Sequence, residues 1–161
     1  MELMVLFSTA INAMQSASKS HHFLGVNENG MASIVNTTGN PDGHIVLRGG
    51  SKGPNFDSHN VKRISSELTQ FSLPHKVMID CSHGNSNKDF RKQSEVLKNV
   101  ATQVGNGEKN ILGVMLESHL KEGNQKLLKK DDLEFGRSIT DACIDIKTTK
   151  ELIAILYDSL S

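Results

Sequence analysis

Three apolar runs in this chain stop at residues that do chemistry. One ends in Arg48-Gly49-Gly50, one in Asp80-Cys81-Ser82-His83 and one in Glu117-Ser118-His119. An imidazole and a carboxylate together suit a divalent transition ion, so His83 and Glu117 form a candidate ligand pair. Asp141, in S-I-T-D-A-C at 138–143, is the best third ligand. The guanidinium of Arg48 offers a fork for carboxylate or phosphate, and Gly49-Gly50 lets backbone approach a ligand closely. Each group also has a structural reading. A strand-end His is more often structural than ligating, and a strand-end acid is often a cap or an ion-pair partner. Cys81 reads as a small buried residue rather than a nucleophile. The other six histidines (21, 22, 44, 59, 75 and 119) show no ligand spacing.

These residues need elements that bring them together. Four segments read as buried strands: 22–26 (HFLGV), 44–48 (HIVLR), 76–81 (KVMIDC) and 111–117 (ILGVMLE). Each is a nearly continuous apolar run, the pattern of parallel strands covered on both faces. Helical spacing fills the intervals. It covers 8–18, then 59–71 with Val61, Ile64, Leu68 and Phe71. A third stretch, 88–104, carries Phe90, Leu97, Val100, Ala101 and Val104. A last helix opens at Thr148 and Glu151 in capping-box spacing. Alternating strands and helices predict an α/β chain of βαβ units. In such folds the C-terminal strand ends are where ligands bind. Between 26 and 44 no crossover helix fits, and Asn29-Gly30 predicts a β-hairpin at about 25–36.

Composition narrows the classes. The 161 residues hold 18 basic and 18 acidic side chains, 37% hydrophobic and 22% charged. That balance gives no sign of a nucleic-acid footprint or a membrane-binding surface. Cys81 and Cys143 are isolated thiols, which fits a reducing compartment. The apolar start lacks a basic n-region and is too short to span a bilayer, so the expected location is cytoplasmic. The length suits a single domain over 1–161.

Four segments in order are more specific than spacing alone. They are G-N-P-D-G-H-I-V-L-R-G-G at 39–50, V-M-I-D-C-S-H-G-N-S-N-K at 77–88, G-V-M-L-E-S-H-L-K-E-G-N-Q at 113–125 and S-I-T-D-A-C-I at 138–144. They resemble the class I DAHP synthases (3-deoxy-D-arabino-heptulosonate 7-phosphate synthases), from about residue 7 to the C-terminus. The resemblance implies a (β/α)8-barrel enzyme of the shikimate pathway. Such enzymes condense phosphoenolpyruvate with erythrose 4-phosphate in an aldol-type reaction and release phosphate. It implies a divalent metal (Mn, Fe, Co or Zn) with His83, Glu117 and Asp141 as ligands, and Arg48 on phosphoenolpyruvate. Arg48 and His83 are thus the implied catalytic residues. It also implies feedback by an aromatic amino acid at the hairpin. There Phe23, Gly25 and Val35 match effector contacts, and Gly25 favours tyrosine over phenylalanine.

A full barrel takes about 250 residues. The expected fold is therefore the C-terminal half of a (β/α)8 barrel, four parallel strands with flanking helices plus a small hairpin. Against the family pattern the chain lacks the ligand Cys segment, the K-P-R-T-type loop and the G-F-K-N lysine, and neither Cys81 nor Cys143 matches the ligand Cys. Half a barrel leaves unpaired edge strands. The chain is expected to be inactive alone, and to need a homo-oligomer or the missing N-terminal half. The alternatives are a non-catalytic half barrel that modulates a full-length synthase, or a gene remnant.

Overall fold

The computed structural model describes residues 2–127 and 129–160, with side chains from residue 7 onward. Its elements run α1 (Glu2–Ala17), β1 (His22–Val26), β2 (Ala32–Asn36), β3 (Ile45–Leu47), α2 (Ser58–Gln70), β4 (Val77–Asp80), α3 (Gln93–Gly105), β5 (Ile111–Met115), β6 (Ser118–His119), β7 (Ile144–Asp145) and α4 (Ile146–Asp158). The described residues form an α/β arrangement with four α-helices and parallel strand pairs. The sequence suggests one domain; the coordinates group into two compact units, Met1–Ile45 with Ile64–His75, and Val46–Arg63 with Lys76–Ser161.

In the first unit the expected hairpin is β1–β2, antiparallel from His22↔Asn36 to Val26↔Ala32. Asn27 folds its turn: its side-chain carbonyl accepts from the N–H groups of Asn29 and Met31. Gly30 takes the left-handed φ of +76° that the turn needs. The expectation that 22–26 is a buried parallel strand is corrected here. Only five residues separate β1 from β2, and a parallel connection needs a crossover of about a dozen or more. The strand turns back on itself instead, leaving Phe23, Leu24 and Val26 exposed.

In the second unit β3, β4 and β5 lie side by side in that order. β4 and β5 are parallel, with Ile79 opposite Val114 and Asp80 opposite Met115. Leu47, Val77 and Ile79 are fully buried, as a continuous apolar run demands. A second parallel pair, β6 with β7, joins Ser118 to Ile144 and His119 to Asp145. Two-residue strands carry no periodicity, so this pair is not legible in the sequence. α3 packs on α4; α3 buries Val96, Leu97 and Val100, and α4 buries Leu152.

Two helix starts differ from expectation. The helix expected over 88–104 begins at Gln93, after a 3-10 turn at Phe90–Lys92 capped by Asp89. Asn87 and Lys88 have φ of +53° and +61°, which no right-handed helix accommodates. α4 is capped by Asp145, whose carboxylate accepts from the N–H of Thr148 at 2.7 Å. Thr148 therefore sits in the first turn rather than at the cap. Phe71 falls just past the end of α2 and is half exposed, while Val61, Ile64 and Leu68 form that helix's fully buried stripe.

Cys81 follows β4 and is completely buried. Burial, reinforced by the neighbouring Asp80 carboxylate, pushes its thiol from an ordinary 9.0 to about 12. The folded value lies above the unfolded one. The stability supplied by the neutral thiol is therefore intact below pH 9 and lost as pH rises toward 12. Two outcomes are expected: no reaction with a thiol-specific disulfide reagent at pH 8 until denaturant is added, and less alkaline destabilisation in Cys81→Ala. Rapid labelling of Cys81 in the native chain would contradict this burial.

Candidate metal centre

The site is built where β4 and β5 end. Beyond Asp80 the chain winds tightly through 82–88. The N–H of Asn85 donates to the carbonyl of Ser82, and that of Lys88 to His83 at 2.7 Å. His83 adopts φ of +50°, a region that L residues occupy sparingly, and this aims its ring out of the turn. Asn85 fixes the turn to its neighbours. Its buried amide donates to the carbonyls of Leu47 and Asp80 at 2.9 and 2.8 Å, and its oxygen accepts from the N–H of Asn55. Gly49 and Gly84 let the two strand-end loops touch. A Cβ on Gly84 would lie 2.8 Å from the carbonyl carbon of Gly49.

Glu117 is held by its backbone. Gln93, fully buried at the start of α3, accepts from the Glu117 N–H at 2.8 Å and donates to its carbonyl at 3.2 Å. That carbonyl also accepts from the N–H of Ile144. Asp141 comes from the 120–143 loop. This loop is tied by the Gly123–Cys143 bridge and by the Asn124 side chain, which donates to the carbonyl of Thr140.

The outcome is a cleft lined by Arg48, His83, Lys88, Phe90, Glu117 and Asp141. Ligand atoms of His83, Glu117 and Asp141 lie within 4.8 Å of one another. His83 Nε2 is 3.5 Å from Glu117 Oε1, while its Nδ1 is 2.8 Å from Asp80 Oδ2. Donors about 2.1 Å from a shared tetrahedral ion stand about 3.4 Å apart, so side-chain shifts of roughly an ångström would bring the three together. The electrostatics agree. Partial burial raises the Glu117 carboxyl above its ordinary range; His83 offsets this, and the Asp141 and Asp80 carboxylates add to it. A divalent cation would relieve that crowding, so the donor set fits one.

The sequence-derived candidates separate into two groups. Arg48, His83, Glu117 and Asp141 share the cleft. Phe23, Gly25 and Val35 lie on the hairpin, where Phe23 pairs with Val35 across the strands. A Cβ on Gly25 would meet Val35 Cγ2 at 2.7 Å. Four residues escaped the sequence reading. Asp80, Asn85 and Gln93 act through bonds to residues 3 to 38 positions away. Lys88 reaches the cleft only because of its left-handed turn. The D-x-x-H spacing of Asp80 and His83 was the one available signal.

Fold and site thus define an α/β chain with a cluster of nitrogen and oxygen donors at its strand ends. Residues 4–154 match the model of the DAHP synthetase I family, and the chain belongs to that family. It is 43% identical over 155 residues to the Tyr-sensitive phospho-2-dehydro-3-deoxyheptonate aldolase of Escherichia coli K12, covering 96% of this chain and 43% of that one. It is 48% identical over 151 residues to the Phe-sensitive aldolase of the same organism, covering 94% and 43%. The solved structure of phospho-2-dehydro-3-deoxyheptonate aldolase from Francisella tularensis SCHU S4 superposes with a TM-score of 0.86 at 42% identity, covering 93% of this chain and 43% of that one. The chain therefore spans less than half the length of these relatives. No described helix is long and apolar enough to cross a membrane.

Proposed function

We propose that this chain carries the metal-binding part of a DAHP synthase site, on the C-terminal half of a (β/α)8 barrel. The whole site joins phosphoenolpyruvate to erythrose 4-phosphate and releases phosphate in the cytoplasm. The observation that carries the reading is the approach of His83, Glu117 and Asp141 to within 4.8 Å at strand ends. These three residues hold a divalent ion (Mn, Fe, Co or Zn). When bound, that ion supplies Lewis acidity toward the aldehyde oxygen of erythrose 4-phosphate. Arg48 grips the anionic enolpyruvate and stabilises charge that develops on it. Lys88 adds a second cation on the same wall. Two phosphorylated substrates need more positive charge than these two side chains bring, so the site is completed by groups from an N-terminal half or a partner subunit. The β1–β2 hairpin is the effector region, with tyrosine the favoured ligand at Phe23, Gly25 and Val35.

The test is reconstitution. The purified chain with Mn²⁺ and both substrates is expected to form no product. Adding the separately produced N-terminal part of a relative is expected to restore it. Robust turnover by the chain alone would contradict the shared-site reading. The exposed Phe23, Leu24, Val26, Met31 and Ile34 of the hairpin favour a second reading, a non-catalytic chain that joins a full-length synthase. Co-purification with an intact synthase and a shift in its feedback inhibition separate the two.

A further inference from the structure

Asp80 is 3% exposed and its carboxylate has a fixed division of labour. Oδ1 accepts from the Ser82 N–H at 2.9 Å and from the Ser82 hydroxyl at 2.6 Å. Oδ2 faces His83 Nδ1 at 2.8 Å, and Ser82 Oγ lies 2.7 Å from the same nitrogen. Ser82 is itself 2% exposed, so water does not compete freely for these groups.

The proton count then leaves one consistent arrangement. The single hydroxyl proton of Ser82 goes to a carboxylate, Asp80 Oδ1 at 2.6 Å or the nearby Glu117 side chain, so Ser82 Oγ presents a lone pair to the ring, as Oδ2 does. A lone pair on Nδ1 would face both acceptors in a buried place, and Oδ2 would have no donor. A proton on Nδ1 satisfies every atom. The other candidate proton site, Nε2, has only Glu117 Oε1 at 3.5 Å, a much weaker bond. We infer that Asp80, itself held through Oδ1 by Ser82, is a positioning residue that keeps His83 in the Nδ1–H tautomer, with the Nε2 lone pair aimed at the cation site. This rests on the reading of His83 as a ligand only for its consequence, not for the tautomer itself. Metal-bound imidazoles commonly gain orientation and basicity from such a carboxylate.

The substitution Asp80→Asn gives a signed test. The Ser82 N–H is a backbone donor that cannot turn away, so the Asn oxygen stays on it. The Asn amino group then replaces Oδ2 and points a hydrogen at Nδ1. The ring proton must move to Nε2, the metal-facing atom. The experiment is long-range proton–nitrogen correlation spectroscopy of the full chain at a pH where His83 is neutral. It is paired with calorimetric titration of Mn²⁺ and Co²⁺. Wild type and Ser82→Ala are expected to show Nδ1–H. Asp80→Asn is expected to show Nε2–H and to lose about 10–100-fold in ion affinity, since removing such a partner typically does so.

An Nε2–H ring in the wild type, or an unchanged tautomer in a folded Asp80→Asn, overturns the inference. The wild-type spectrum decides the matter even if the variant does not fold. Failure of the ligand reading is distinguishable: the tautomer would invert as expected while the wild type bound no ion.

Discussion

Replacing His83 with alanine is expected to lower the affinity of the chain for Mn²⁺ or Co²⁺ by more than about a hundredfold, beyond the loss typical of removing a ligand's hydrogen-bond partner. His83 supplies the one nitrogen of the described donor set. Without it, two carboxylates face each other across the cleft. A site of two oxygens binds first-row ions far more weakly than one that also offers imidazole. Some loss of stability is expected as well, because the buried Asp80 carboxylate loses its Nδ1 partner and alanine is less at ease than histidine at a φ of +50°. The measurement is calorimetric titration beside a circular dichroism melt. A folded His83→Ala chain with wild-type affinity would remove His83 from the ion site.

Asn85→Leu is expected to be the most destabilising of these changes, although the bonds of the Asn85 side chain go to Leu47, Asp80 and Asn55 rather than to cleft-lining residues. The leucine has the same branched shape but is bulkier and offers neither donor nor acceptor. It would strand the carbonyls of Leu47 and Asp80 and the N–H of Asn55, all now bonded to the amide. Each buried polar group left unpaired costs about 1–3 kcal/mol, so a loss of about 3–5 kcal/mol is expected after partial relaxation. That is a large share of the stability of a small domain, roughly 5–15 kcal/mol. Because the amide joins the ends of β3 and β4, ion affinity should fall with stability. Chemical denaturation of the variant against wild type gives the difference. A loss under about 1 kcal/mol would mean that water replaces these bonds freely, contrary to the 3% exposure of Asn85.

The sequence exposed most of what hydrophobicity controls. β3, β4 and β5 were legible as apolar runs, though each is shorter than expected by one or two residues at one end or both. The runs include the first residues of the following turns. The hairpin was legible because Asn29-Gly30 can take the required backbone angles. What stayed hidden depends on contacts distant in the sequence or on unusual backbone. Nothing local announces that Gln93 will hold the backbone of Glu117, or that Asn85 will reach Leu47. The left-handed His83, Asn87 and Lys88 lie in a region that histidine and asparagine tolerate better than most residues, but nothing in their order marks the turn that places them there. Within the site, His83, Glu117 and Asp141 were named from donor chemistry and family resemblance. Their supports were not, because a support is defined by proximity that only the folded chain supplies.

The most direct measurement is Mn²⁺ binding to the wild-type chain, followed by the paramagnetic loss of nuclear resonances. A cation site at the ends of β4 and β5 requires one ion per chain. Signals from His83, Glu117 and Asp141 should vanish first at that stoichiometry. Absence of saturable binding, or broadening centred away from these three residues, would contradict the assignment of this cleft as a metal centre.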